Sequence, residues 1–214
     1  VNYNMKSLII ILTSTLLFGE LINPENGSDL RSVHIRFEWE QEPDAVSYNL
    51  QVLADDFLNT TILDVVEEST IYIEKDMINW NSDYEWRVRP IYDSGDFGDW
   101  IGIKNFSTEQ TILTDLDVDI YDDEFIGDEL FMYSQFAPYF AIGVIDRLGN
   151  EIWNTQIAYM NHINEYGQVY GVNGQGVQFN YNHEILWETP EGTDIDSHEV
   201  KQIPNGNYMA FVPI

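Results

Sequence analysis

The chain has no cysteine among its 214 residues. That excludes disulfides, thiolate metal sites, a cysteine nucleophile and a lipidated N-terminal cysteine, and leaves packing to hold the fold. Positive charge is scarce as well: 9 Lys and Arg stand against 37 Asp and Glu, a formal charge of −28. Such a surface repels phosphate backbones and anionic headgroups alike, which excludes nucleic acid as a partner. It suits solubility in a salty medium, and an anionic substrate would need a local cluster of donors working against the field. Aromatic side chains are plentiful at 14%, with 6 Trp, 13 Tyr and 11 Phe, so there is ample material for buried cores.

Met5-Lys6-Ser7 followed by the run Leu8 to Phe18 gives a basic start and an apolar stretch of signal-peptide length, too short to span as a helix. Residues 1–20 therefore read as an export signal, with the protein secreted, periplasmic or at the cell surface. Leu17-Phe18-Gly19 offers a small residue only at its last position, so both a cleaved signal and an uncleaved anchor stay open. This segment is the only part of the sequence suited to engaging a membrane. Val1-Asn2-Tyr3-Asn4, ahead of the methionine, reads as in-frame translation from upstream.

Residues 21–108 show short runs of period two separated by turn residues about every ten positions, the pattern of an all-β sandwich. Val33, Ile35, Phe37 and Trp39 alternate with His34, Arg36 and Glu38. Tyr48, Leu50 and Val52 repeat this after Glu42-Pro43-Asp44; Thr70 to Ile73, Tyr84 to Pro90 and Trp100 to Thr108 complete the set. Alternation puts Arg87 and Arg89 on the wet face beside Glu85, where cross-strand ion pairing is expected. His34 shares such a face and carries no role.

The same stretch resembles the fibronectin type III family in its bacterial form. The matching residues are Pro24, Asn26, Gly27 and Ser28; Phe37 and Trp39; Ala45, Ser47, Tyr48, Leu50 and Val52; Tyr84 to Arg89; and Phe106 to Thr108. The resemblance implies a spacer or binding module without catalysis, with Tyr84 as the corner tyrosine bonding to backbone.

Residues 109–127 read as a linker and an acidic strand. Asp115, Asp117 and Asp119 invite a calcium-loop reading, but Ile120 and Ile126 stand where such a loop needs its turn glycine and its bidentate glutamate. Alternation with Leu116, Val118 and Ile120 favours an exposed strand and no metal.

Residues 128–214 contain repeats. Ile145 to Trp153 recurs as Phe179 to Trp187, a spacing of 187 − 153 = 34, each copy being strand, polar turn and strand ending in Trp. Gly167 to Val172 recurs as Gly206 to Phe211, a spacing of 206 − 167 = 39. Two strand pairs recurring at this interval indicate the four-stranded blades of a β-propeller. Asp146, Gly149 and Trp153, followed by His198-Glu199 ahead of Ile203-Pro204-Asn205-Gly206-Asn207, resemble the blade motifs of the bacterial arylsulfotransferase family. The Pro-Asn-Gly-Asn turn is expected as a type I′ hairpin.

The resemblance implies nucleotide-independent sulfuryl transfer between phenols through a transiently sulfated histidine, with no cofactor and with an aryl sulfate and a phenol as small-molecule partners. His198 alone falls on a motif histidine; the resemblance implies contact to a sulfate oxygen, with the nucleophile in a later blade and no catalytic residue assigned within this stretch. Blade-to-blade hydrogen bonding is an equally open role for His198. Ser197 stands where the family often has a first histidine. His162 matches no motif position, and His183 is expected to cap its turn. About six blades of roughly 40–50 residues close such a ring. The expectation is therefore an inactive piece, open to self-association along an unclosed sheet edge. The alternative is a non-catalytic extracellular adhesion or scaffold protein that binds glycan or protein.

Overall fold

A computed structural model describes residues 19–55, 57–113, 122, 124, 127 and 129–212. Among the described residues the chain is all-β, with no helix, and its strands form five separate sheets, none closed into a barrel. The apolar run of the proposed signal, up to residue 18, and Asp115, Asp117 and Asp119 lie outside the described residues.

Eight strands come first: β1 (Leu21–Asn23), β2 (Ser28–Leu30), β3 (Ile35–Trp39), β4 (Ala45–Ala54), β5 (Thr61–Glu67), β6 (Ile71–Glu74), β7 (Asp83–Tyr92) and β8 (Lys104–Thr108). They form a three-stranded sheet in the order β1-β3-β6 and a five-stranded sheet in the order β2-β8-β7-β4-β5, in which β2 runs parallel to β8. Alternation decides which side chains meet between them. Phe37, Trp39, Tyr48, Leu50, Val52, Tyr84, Trp86 and Val88 are buried, and Phe37 of β3 meets Trp86 of β7 edge-on at 5.3 Å and Phe106 of β8 at 5.9 Å. Such tilted contacts add to area burial because a positive ring edge faces a negative ring face. The Tyr84 hydroxyl accepts from the Asn79 N–H at 2.9 Å, and the Tyr48 hydroxyl from the Glu42 N–H at 2.8 Å, so both buried phenols have partners.

Nine strands come after these: β9 (Phe131–Gln135), β10 (Ala141–Ile145), β11 (Glu151–Thr155), β12 (Tyr159–Ile163), β13 (Val169–Val172), β14 (Gly176–Phe179), β15 (Ile185–Glu188), β16 (Val200–Gln202) and β17 (Tyr208–Ala210). Consecutive strands pair antiparallel, giving sheets β9-β10-β11, β12-β13-β14-β15 and β16-β17. Strand β12 contacts β9 and β10 of the sheet before it and β16 of the sheet after it. The Ser134 hydroxyl accepts from the Met160 N–H at 2.9 Å, tying β9 to β12.

The repeats correspond to repeated geometry. Four hairpin turns share one pattern: the N–H of Gly149, Gly167, His183 and Gly206 each bonds to the carbonyl three residues earlier, and each of these residues has φ between 65° and 85°. Asp146, Asn164 and Asn180 add side-chain acceptors for the N–H groups inside their turns. The pattern is a type I turn closed by one left-handed residue, since Gly206 has positive φ and Asn205 does not; a type I′ turn would need both. The repeated tryptophans staple sheet to sheet. Trp153 of β11 stacks on Tyr181 and His183 of the next sheet, and Trp187 of β15 stacks on Tyr208 of the one after at 3.7 Å.

The first eight strands and the later sheets share one buried cluster, in which Phe37 and Trp86 belong with Ile152, Trp153 and Phe179. Strand β11, buried along its whole length, is the connecting piece. The Val33 N–H bonds to the Ile152 carbonyl and the Asn154 N–H to the Arg31 carbonyl, both at 3.0 Å. Trp80 Nε1 donates to the Glu151 carbonyl at 2.7 Å. The Glu151 carboxylate accepts from the N–H groups of Ile112 at 3.2 Å and Leu113 at 2.8 Å and from the Asn154 amide.

Candidate functional site

His198 lies just before β16 with its side chain 80% exposed. The segment is anchored on three sides. Asp196 N–H donates to the Phe211 carbonyl at 2.8 Å, Asn161 Nδ2 donates to the Ser197 carbonyl at 2.8 Å, and Ile195 and Val200 are buried with Val172. One oxygen of Asp196, Oδ1, then takes both the His198 N–H, at 2.9 Å, and the ring Nδ1. These bonds, the ring's first and the main chain's second, hold the Asp196 carboxyl below the usual carboxylate range. An ionised carboxylate can only accept, so Nδ1 carries a proton and Nε2 is the atom left for solvent or ligand. A neutral ring presents a lone pair there; a protonated ring presents a donor.

The remaining histidines have other settings. His183 is a packing residue: its ring lies parallel to Trp153 at 5.2 Å, and Nε2 bonds to the Asn154 carbonyl at 3.0 Å. Burial pushes its pKa down, with the Asn154 carbonyl opposing and Arg31 reinforcing. It therefore caps its turn and also staples two sheets. His34 is lowered by burial and by Lys75. His162, on β12, faces Tyr170 at 5.8 Å.

Arg87 and Arg89 depart from the expected ion pairing. Arg87 donates to Gln51 Oε1 at 3.1 and 2.8 Å and stacks over Trp100 at 4.2 Å; Arg89 donates to Asn49 Oδ1 at 3.0 Å and lies over Phe97 at 3.9 Å. An amide keeps the cross-strand bond without a carboxylate, and the aromatic rings of the following loop supply the negative face. This ladder holds each guanidinium by its Nε against a cross-strand amide and an aromatic face.

Two clefts lie at opposite ends of the β12–β15 sheet. One, of about 550 Å³, opens between the β12–β13 and β16–β17 turns and is lined by His162, Glu165, Tyr166, Tyr170 and Gln202 among others. The other, of about 380 Å³, is lined by Tyr139, Phe140, Gln156 and Asn173. Among the described residues no three His, Asp or Glu side chains converge as a metal site. Lys201, beside His198, is engaged by Glu199. The Asp196 partner was readable two positions before His198; the clefts were not, because each is made by turns from different sheets.

The folded class is an all-β chain of open, mainly antiparallel sheets joined by side-chain staples. No protein-family profile matches the chain, and no curated protein sequence matches it significantly.

Proposed function

We propose that the chain belongs to an exported arylsulfotransferase-like protein: residues 21–108 a fibronectin type III-like sandwich, residues 128–214 blades of a β-propeller. The activity of the complete ring is sulfuryl transfer from an aryl sulfate to a phenol, without a nucleotide or metal. The observation that carries this reading is the Asp196–His198 pair, set where the third meander begins with its Nε2 side open to solvent. A protonated imidazole so held donates Nε2–H to a sulfate oxygen as negative charge moves toward the departing phenolate. Supporting the propeller are consecutive antiparallel meanders in which β12 touches the sheets on both sides. In this reading His198 contacts a sulfate oxygen and the nucleophilic histidine belongs to another blade of the ring.

The test is sulfate exchange between 4-nitrophenyl sulfate and phenol, measured on the longest continuous reading frame that includes this chain. His198→Ala is expected to lower kcat by about 10²-fold, the typical loss of one oxyanion donor. Unchanged exchange in the variant removes His198 from the site, and no exchange by the unaltered protein removes the enzymatic reading.

A further inference from the structure

We propose that the larger cleft, between the β12–β13 and β16–β17 turns, is a binding site for a neutral oligosaccharide. It lies at the end of β16 away from His198, and the proposal does not rest on sulfuryl transfer.

The cleft is preformed. Asn164 Oδ1 accepts from the N–H groups of Tyr166 and Gln168, both at 3.0 Å, and Asn164 Nδ2 donates to Gln168 Oε1 at 2.8 Å and to the Tyr170 hydroxyl at 3.2 Å. Gln178 Nε2 donates to the same Gln168 oxygen at 2.9 Å, and the Tyr208 hydroxyl of β17 donates to Gln178 Oε1. A continuous chain of amides thus clamps β17 to the β12–β15 sheet beneath the opening. The opposite wall is pinned where Gln202 Nε2 donates to the Gly206 carbonyl at 3.1 Å. Walls fixed before binding spare a ligand the ordering penalty that weakens mobile sites.

The lining selects the chemistry. At about 550 Å³ the opening has the size of a small-molecule site. Among the described residues no lysine or arginine lines it, and the chain carries −28, so an anionic ligand finds no counter-charge. His162, Glu165 and the Gln202 oxygen each have unfilled hydrogen-bond capacity among the described residues, a mixture of donor and acceptor sites that suits hydroxyl groups. Tyr166 stands at the lip, 78% exposed, on a turn fixed by the Asn164 bonds. A flat ring presented there, open to water, suits the C–H face of a pyranose.

The experiment titrates the full chain with cellotriose (neutral), the glucosamine trimer (cationic) and a sulfated disaccharide (anionic), following the Tyr and amide resonances by NMR. Saturable binding of cellotriose is expected near a Kd of about 1 mM, typical of a shallow site. Tyr166→Ala is expected to weaken it about tenfold, and Tyr166→Phe to leave it within about twofold, since stacking needs the ring and not the hydroxyl. Phe136→Ala, outside this cleft, should leave it unchanged and controls for folding. Three results would overturn the assignment. They are no saturable shift with cellotriose at about ten times that concentration, binding indifferent to Tyr166→Ala, or preference for either charged probe over cellotriose.

Discussion

Replacing Glu151 tests whether the early and late sheets stand or fall together. Its carboxylate accepts from the N–H groups of Ile112 and Leu113, while the Asn154 amide that also reaches it keeps a second acceptor, the Gln110 carbonyl at 3.1 Å. Glu151→Ala therefore orphans two main-chain donors, that of Ile112 buried and that of Leu113 half-buried. At about 1–3 kcal/mol for each unsatisfied group, and with some relief from no longer desolvating a carboxylate, the expected loss is about 3 kcal/mol. Glu151→Gln keeps one acceptor oxygen and should lose about half as much. A domain typically has about 5–15 kcal/mol in all, so the alanine variant should show a clearly lower urea midpoint. Tryptophan fluorescence and far-UV circular dichroism, with Trp39 and Trp86 reporting early strands and Trp153 and Trp187 later ones, should shift together in both variants. The reasoning is refuted if Glu151→Ala unfolds within about 0.5 kcal/mol of the unaltered chain, or if the early tryptophans keep their original midpoint.

His183 predicts acid sensitivity. Its folded pKa lies below the ordinary 6.5, so the unfolded chain takes up the proton more readily; the stabilisation is complete above about pH 6.5 and declines as pH falls through that value. The urea midpoint should drop between pH 8 and pH 5, and His183→Asn, which tolerates the positive φ, should flatten that slope; an unchanged slope rejects the assignment. Tyr133 has its hydroxyl oxygen buried without a partner among the described residues, and burial together with Glu151 pushes its pKa up to about 12. Tyr133→Phe should accordingly be neutral or stabilising by up to about 1 kcal/mol in the same denaturation assay, and a loss above that would reveal a missed partner.

Much of the early strand content was legible because strands such as β3, β7 and β8 alternate buried and wetter positions, whereas β11, β13 and β14 are buried on both faces. The burial of β3 and β7 follows the alternation read from Phe37, Trp39, Tyr84, Trp86 and Val88. Turn positions were legible too, since Asp146, Gly149, Asn180 and His183 recur in register. The misplaced boundaries have identifiable causes. Val33 reads as the start of a strand, yet its N–H bonds to Ile152, far along the sequence, and β3 begins at Ile35. Trp100 reads as the start of another, but its ring serves Arg87 and Arg89, and β8 begins at Lys104. Local pattern carries no information about such distant partners. The same holds for the candidate site. His198 stands out by its motif, whereas the Tyr166 cleft exists only because two turns from different sheets come together.

The strand that runs from Glu151 to Thr155 has a bearing on how the molecule tumbles. Its main chain is bonded to residues 31–33 on one side and to β10 on the other, so the eight early strands and the nine later ones have no swivel between them. Beads on a string reorient independently, each at the pace of its own mass. Here amide relaxation should return a single rotational correlation time for both halves, and any ligand held by one half would slow or align the other with it.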